Sequence, residues 1–335
     1  MHENVFKHTT CECELSFINI WEDDEINANI NDLVVALSWC LENNVTLINL
    51  SLGTTRFSDI SELFDIIKKL VKKNIIIVAA SSNANRLTFP ASFDQVIAVK
   101  ALEGVEKTGF IYQESSIDLI EISCYVEDEV ITYKDQQYYL GAANSLAAPI
   151  ISAKVYNFIS DGYNSFDQIK QKLKEAPLHI SYNQDEKIYE KYLMKKIEIP
   201  IIAIINHCHS ENFNAAALTQ KLLMEFFKQD YQGVCLRENG LTDFSKKTLN
   251  LMDFEKYNPV EKLNFYAHYC NVDYVIVEGS KAFLFGDLRS VEFDIILHHS
   301  DLNNINVTRE VPCITFSECT DLAALFFRVY NYLSG

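Results

Sequence analysis

The stretch from Tyr138 to Val155, YYLGAANSLAAPIISAKV, sets one serine, Ser145, among small residues: Ala142, Ala143, Ala147 and Ala148. Pro149 follows four residues later, and an apolar run at helical spacing continues from it. A hydroxyl at a helix N-terminus sits beside backbone N–H groups and the positive end of the helix dipole, which suits acyl-transfer chemistry. The hydroxyl is a poor nucleophile until a general base takes its proton. The same composition also suits a structural serine where a loop meets a buried helix start, because close packing there demands small neighbours.

A second group of reactive side chains lies further along. His207, Cys208 and His209 follow one apolar run, and His298 and His299 close another. In a parallel sheet both would stand at the C-terminal edge, where imidazoles and a thiolate can bind zinc. Adjacent side chains diverge, however, so the expectation is polar residues capping buried strands, with no metal. Cys11 and Cys13 share a strand face but lack two further partners. Residues 206–214 run strand, loop, helix in the outline of a phosphate-loop nucleoside-triphosphatase, yet hold neither glycine nor lysine. Phosphate binding there needs glycine N–H groups and a lysine, so no nucleotide and no cofactor is expected.

The elements that must position these residues are strands and helices in alternation. Strand patterns cover 15–21, 45–52, 75–81, 95–102, 117–124 and 129–134. Helical spacing covers 29–44, 59–74 and 147–160, with Pro149 in a first turn, where a missing N–H costs little. Continuous apolar strands between helices predict a parallel sheet covered on both faces. A charge-rich segment, 165–196, holds one helix and a linker, and a second strand–helix series then runs over 197–335. The chain therefore reads as an α/β domain over 1–164, a linker, and a second, smaller α/β domain.

Three segments of the first domain together resemble the subtilisin-like serine peptidases, the subtilases (peptidase S8). LSWCLENNVTLINLSLGTT resembles the family's helix and the strand ending in Ser-Leu-Gly. KKNIIIVAASSNANRLTFPASFDQVIAVKAL resembles its strand, asparagine loop and Val-Ile-Ala-Val segment, and GAANSLAAPIISAKV resembles the opening of its nucleophile helix. The resemblance spans about residues 14–160 and implies a subtilisin-like parallel-sheet fold. It places Ser145 at the nucleophile position and Asn83 at the oxyanion position, whose amide is worth roughly 10²–10³ in rate. Ser51, Leu52 and Gly53 match the substrate edge, where an extended peptide adds as a strand.

The rest of the family's machinery departs from the pattern. No His-Gly-Thr and no Asp-Ser/Thr-Gly occurs, and Asp23 and Asp24 stand in the wrong order relative to the first strand. His8, in HTTC, is the nearest relic of the histidine, and the N-terminal part reads as truncated relative to the family. Ala143-Asn144 replaces Gly-Thr before the serine, and Ser82 replaces the glycine before Asn83. Two expectations follow. One is an impaired pseudo-peptidase that binds a peptide or partner protein, in a setting such as peptide maturation. The other is an active serine endopeptidase whose base comes from His8, another chain or a longer N-terminus.

Composition bounds the partners. The 335 residues are 48% hydrophobic, with 29 basic against 46 acidic side chains, a net charge of −17. Such a chain repels phosphate backbones, which argues against nucleic acid. No apolar run approaches the ~18 residues of a membrane helix. Nine scattered cysteines and no visible signal segment read as reduced thiols in a cytoplasmic protein. A protein partner or a homo-oligomer is compatible with all of this.

Overall fold

The computed structural model describes residues 13–20, 28–102, 109–114, 116–126, 129–133, 136–176, 190, 192–206, 214–300, 311–316 and 321–334. The chain divides into two compact units, Met1–Tyr182 and Asn183–Gly335.

In the first unit, β1 (Leu47–Leu50), β2 (Ile76–Ala80), β3 (Ile97–Leu102), β4 (Phe110–Tyr112) and β5 (Ile122–Tyr125) form a sheet ordered β1-β2-β3-β5-β4. Its pairs are parallel except β4 on β5. Every residue of β2 is buried, as expected for a central strand covered on both faces. A separate antiparallel pair joins β6 (Glu129–Tyr133) to β7 (Gln136–Leu140).

Two helices lead into these strands: α1 (Ile30–Glu42) precedes β1, and α2 (Ile60–Lys72) is the crossover from β1 to β2. α2 buries Ile60, Leu63, Ile66, Ile67 and Leu70, a stripe at helical spacing. Each helix turns into its following strand through an asparagine in the left-handed region, Asn44 (φ 53°) and Asn74 (φ 58°). Asparagine tolerates that conformation through local hydrogen bonding, so a chain with only ten glycines can still close both helices.

α3 (Asn144–Ser160) packs Ala147, Ala148, Ile151 and Val155 on Ile76, Val78, Val99 and Ile122. Each large apolar side chain buried there is worth roughly 1.5–3 kcal/mol. α4 (Phe166–Glu175) opens with a capping box between Ser165 and Gln168, and its Ile169 and Leu173 join the same core. The charged segment thus begins with a helix that belongs to the first unit.

Three local expectations change. The strand pattern over 15–21 forms no strand at 13–20, and Trp21 lies outside the described residues. Strand preference depends on a neighbour to pair and pack with, and Phe17 is 64% exposed. The strand expected at 117–124 begins only at Ile122, because the chain first turns around the buried Asp118, with Leu119 at φ 65°. The helix expected from 147 starts at Asn144, which puts Ser145 inside its first turn.

The second unit has one all-parallel sheet, ordered β10-β9-β11-β8-β12-β13. Its strands are β8 (Ile201–Ile205), β9 (Gly233–Arg237), β10 (Thr248–Asn250), β11 (Tyr274–Gly279), β12 (Ile295–His299) and β13 (Cys313–Phe316). Its helices are α5 (Ala215–Phe227), α6 (Pro259–Tyr269) and α7 (Leu322–Ser334). Leu218, Leu222 and Phe226 of α5 meet Leu325, Phe326 and Val329 of α7 in one core with Ile202, Ile276 and Leu297. No helix among the described residues is long and apolar enough to cross a membrane.

Candidate active site

The C-terminal ends of β1, β2 and β3 meet the first turn of α3. Asn144, buried at the first position of that helix, engages its backbone N–H and both polar atoms of its side chain. Its backbone N–H donates to Asn83 Oδ1 at 2.8 Å. Its Oδ1 accepts the Ala101 N–H at 2.7 Å, and its Nδ2 donates to the Ser81 carbonyl at 3.1 Å and to Ser81 Oγ at 3.0 Å. One side chain thereby fastens the start of α3 to the ends of two strands. Because the Asn83 oxygen is engaged, its Nδ2 is the end left to donate.

The loop bearing Asn83 is held from below. Ser82 N–H donates to Thr88 Oγ1 at 3.1 Å, and Ser82 Oγ accepts the Ala84 N–H at 3.1 Å. Phe89 packs between Phe57 and Phe93, with ring centroids 5.9 and 5.2 Å away. A cis peptide joins Phe89 to Pro90.

Ser51, just past β1, donates its Oγ to the Ser145 carbonyl at 2.9 Å. Behind it, Asn49 Nδ2 donates to Ser51 Oγ at 3.1 Å, and Ser152 Oγ donates to Asn49 Oδ1 at 2.9 Å. This chain of three side chains ties the end of β1 to two turns of α3. Gly53 lies where a Cβ would meet the Phe89 carbonyl oxygen and Thr88 Cγ2, each at 2.7 Å. The close approach lets Thr54 and Phe89 exchange backbone hydrogen bonds of 2.8 Å.

The structure therefore brings Ser145, Asn83 and Ser51 to one corner, with Leu52 and Gly53 continuing from it. Ser145 is partly exposed, and among the described residues no side chain hydrogen-bonds its Oγ. The described part of the first unit holds no histidine, and His8 lies outside the described residues. The ionisable pair nearest in sequence to Ala101 is Lys100 with Asp118, 2.8 Å apart and buried. Asp118 also accepts from Ser116 Oγ and from the Ile120 N–H, so it organises a turn.

Residues 2–176, more than half of the chain, match the Peptidase_S8 model, the subtilase family. The chain belongs to that family. It is 30% identical over 134 residues to the minor extracellular protease Epr of Bacillus subtilis (strain 168), covering 39% of this subtilase and 20% of Epr. It is 25% identical over 173 residues to the major intracellular serine protease of the same organism, covering 49% and 52%. A thermostable alkaline protease of Halalkalibacterium halodurans is 27% identical over 162 residues, covering 46% and 42%. The chain thus spans about half or less of the length of these curated relatives. Among solved structures, the prenylagaramide maturation protease PagA aligns at 20% identity with a TM-score of 0.33, covering 52% of this chain and 60% of PagA. A lanthipeptide protease aligns at 14% identity with a TM-score of 0.35, covering 48% and 62%.

Four residues of this subtilase's site, Asn144, Asn49, Ser152 and Ser81, carry no role in a motif reading. Their signal is a polar side chain at an otherwise apolar position: Asn49 within a buried strand, Ser152 within an apolar helix run. Asn144 reads from the motif only as a departure from Gly-Thr.

In the second unit His298 and His299 are buried at the end of β12. His298 Nε2 lies 3.0 Å from Thr315 Oγ1, and the His299 ring packs edge-on to Phe316. His207, Cys208 and His209 lie outside the described residues, as does Cys11. Among the described residues no three His, Cys, Asp or Glu side chains gather as metal ligands would. Glu278, buried in β11, accepts from Thr219 Oγ1 at 3.0 Å and pairs with Arg237 Nε at 3.2 Å. Burial pushes the thiols of Cys124 and Cys235 up to about 12, and that of Cys270 upward as well.

Proposed function

We propose that this subtilase-fold chain is a catalytically impaired peptidase that holds an extended peptide, or a segment of a partner protein, along Ser51, Leu52 and Gly53. One observation carries the reading: Asn83 is hydrogen-bonded to the residue before Ser145, while among the described residues no side chain hydrogen-bonds Ser145 Oγ and the described part of the first unit holds no histidine. Without a base the hydroxyl keeps an alcohol-like pKa. A site stripped to its oxyanion donors retains only ~10³–10⁴ over water, negligible for a peptide bond. The curated relatives are proteases, which supports a peptide as the ligand class. The proposal includes a cytoplasmic setting in peptide maturation or recognition, and no cofactor. The six described cysteines are free thiols, which accords with a reducing compartment.

The intact Asn83–Asn144 contact supports a second reading, an active endopeptidase whose base comes from His8, another chain or a longer N-terminus. Incubation with a pool of N-acetylated octapeptides, followed by mass spectrometry of bound and free fractions, separates the two. Peptides recovered bound and uncut support impairment. Fragments that disappear in Ser145→Ala support the active enzyme, and no retention of any peptide sinks the binding proposal.

A further inference from the structure

Asn144 stands where the family motif carries threonine, and its side chain makes three hydrogen bonds that link α3 to the ends of β2 and β3. Its N–H engages the oxygen of the exposed Asn83 amide. An exposed asparagine amide ordinarily rotates between two orientations, presenting oxygen or nitrogen. Here rotation would put an NH₂ against the Asn144 N–H, two donors face to face, at the loss of a 2.8 Å bond. The orientation is set by where the Asn144 backbone stands, and that is set by the buried contacts with Ala101 and Ser81. Ser81 is itself placed by its N–H to the Val99 carbonyl at 2.9 Å, so the anchor is part of the sheet.

We infer that Asn144 is a positioning residue, whose buried side chain locks the first turn of α3 so that Asn83 always presents its NH₂ to the ligand. The corner is then a fixed donor that selects an acceptor oxygen, the carbonyl of a bound peptide, over any donor group. This rests on the peptide-binding reading above. It goes further in assigning the orientation of Asn83 to a residue that touches no ligand.

The test uses the full chain with selective ¹⁵N-asparagine labelling, the Asn83 side-chain signal being assigned by its loss in Asn83→Ala. Asn144→Ala removes all three side-chain contacts, and Ser81→Ala removes one, in case the first fails to fold. The wild-type Asn83 amide should give one resolved proton pair. That pair should move toward the position of free asparagine in Asn144→Ala, and by a smaller step in Ser81→Ala. Binding of the fluorescein-labelled octapeptide pool should weaken about five- to tenfold in Asn144→Ala, the loss of one well-placed hydrogen bond. It should not weaken further when Asn144→Ala is added to Asn83→Ala, since both changes remove the same donor. An unmoved Asn83 pair in folded Asn144→Ala and Ser81→Ala would overturn the inference, as would additive losses in the double variant. If the wild type binds no peptide, the peptide-binding reading fails, and the amide signal alone then decides the role of Asn144.

Discussion

The Ser51 hydroxyl donates to the backbone carbonyl of Ser145 across 2.9 Å, joining residues 94 apart in the chain. The carbonyl belongs to the first turn of α3, so this bond ties the end of β1 to the turn that carries the serine. Ser51→Ala leaves that carbonyl and Asn49 Nδ2 each short of a partner. We expect a stability loss of about 1 kcal/mol, the usual worth of a partly solvated hydrogen bond. Urea unfolding of wild type and variant checks this, and an unchanged midpoint would mean water replaces the hydroxyl without loss.

Gly53→Ala should be worse than Ser51→Ala. Its Cβ would sit 2.7 Å from a backbone oxygen, and the Phe89 backbone cannot yield without breaking its bridge with Thr54. Overpacking of this kind costs about 1–3 kcal/mol. Thermal unfolding, with octapeptide binding measured on the folded fraction, should show both lowered stability and weakened binding.

The buried Lys100–Asp118 pair predicts an asymmetry. Asp118→Ala strips partners from Lys100, Ser116 and the Ile120 N–H, and should cost about 3–5 kcal/mol, the range for breaking a buried pair. Lys100→Met leaves Asp118 two of its donors, so it should cost less. Equal losses in denaturant titrations would contradict the view that Asp118 organises the turn.

High pH should destabilise the fold. The thiols of Cys124 and Cys235 are raised to about 12 in the folded chain by burial, and burial also raises the Tyr112 and Tyr274 hydroxyls. A group whose folded pKa lies above its unfolded value contributes stability below the unfolded pKa and loses it as pH rises toward the folded one. The melting temperature should therefore fall from about pH 8.5 upward, where unfolded thiols begin to ionise. Below that pH these groups should contribute no slope. In the native state at pH 8 a maleimide should modify exposed Cys313 well before buried Cys124, Cys235 and Cys270.

Much of the first unit is legible in the sequence because its strands are apolar on both faces and its helices carry a clear stripe. Ile76–Ala80 and the Ile60–Leu70 stripe fall where period and composition put them. The strand pattern at 15–21 misleads because alternation specifies a strand only when a neighbour is there to pair. Of the site, Ser145, Asn83 and Ser51 are reachable by motif, and the structure brings them together. The contacts that hold them, from Asn144 to Ser81 and Ala101 and from Ser152 through Asn49, join positions 43 to 103 residues apart. No local pattern encodes such pairs. Only the isolated polar residue on an apolar element hints that it has a distant partner.

In the proposed reading Ser145 keeps its place but lacks a base. The most direct measurement is labelling of the intact chain at neutral pH with a fluorophosphonate probe, read by in-gel fluorescence and intact mass, beside Ser145→Ala and an active serine protease. The wild type should carry no adduct while the protease control labels fully. A single adduct on the wild type that disappears in Ser145→Ala would show an activated nucleophile and contradict that reading.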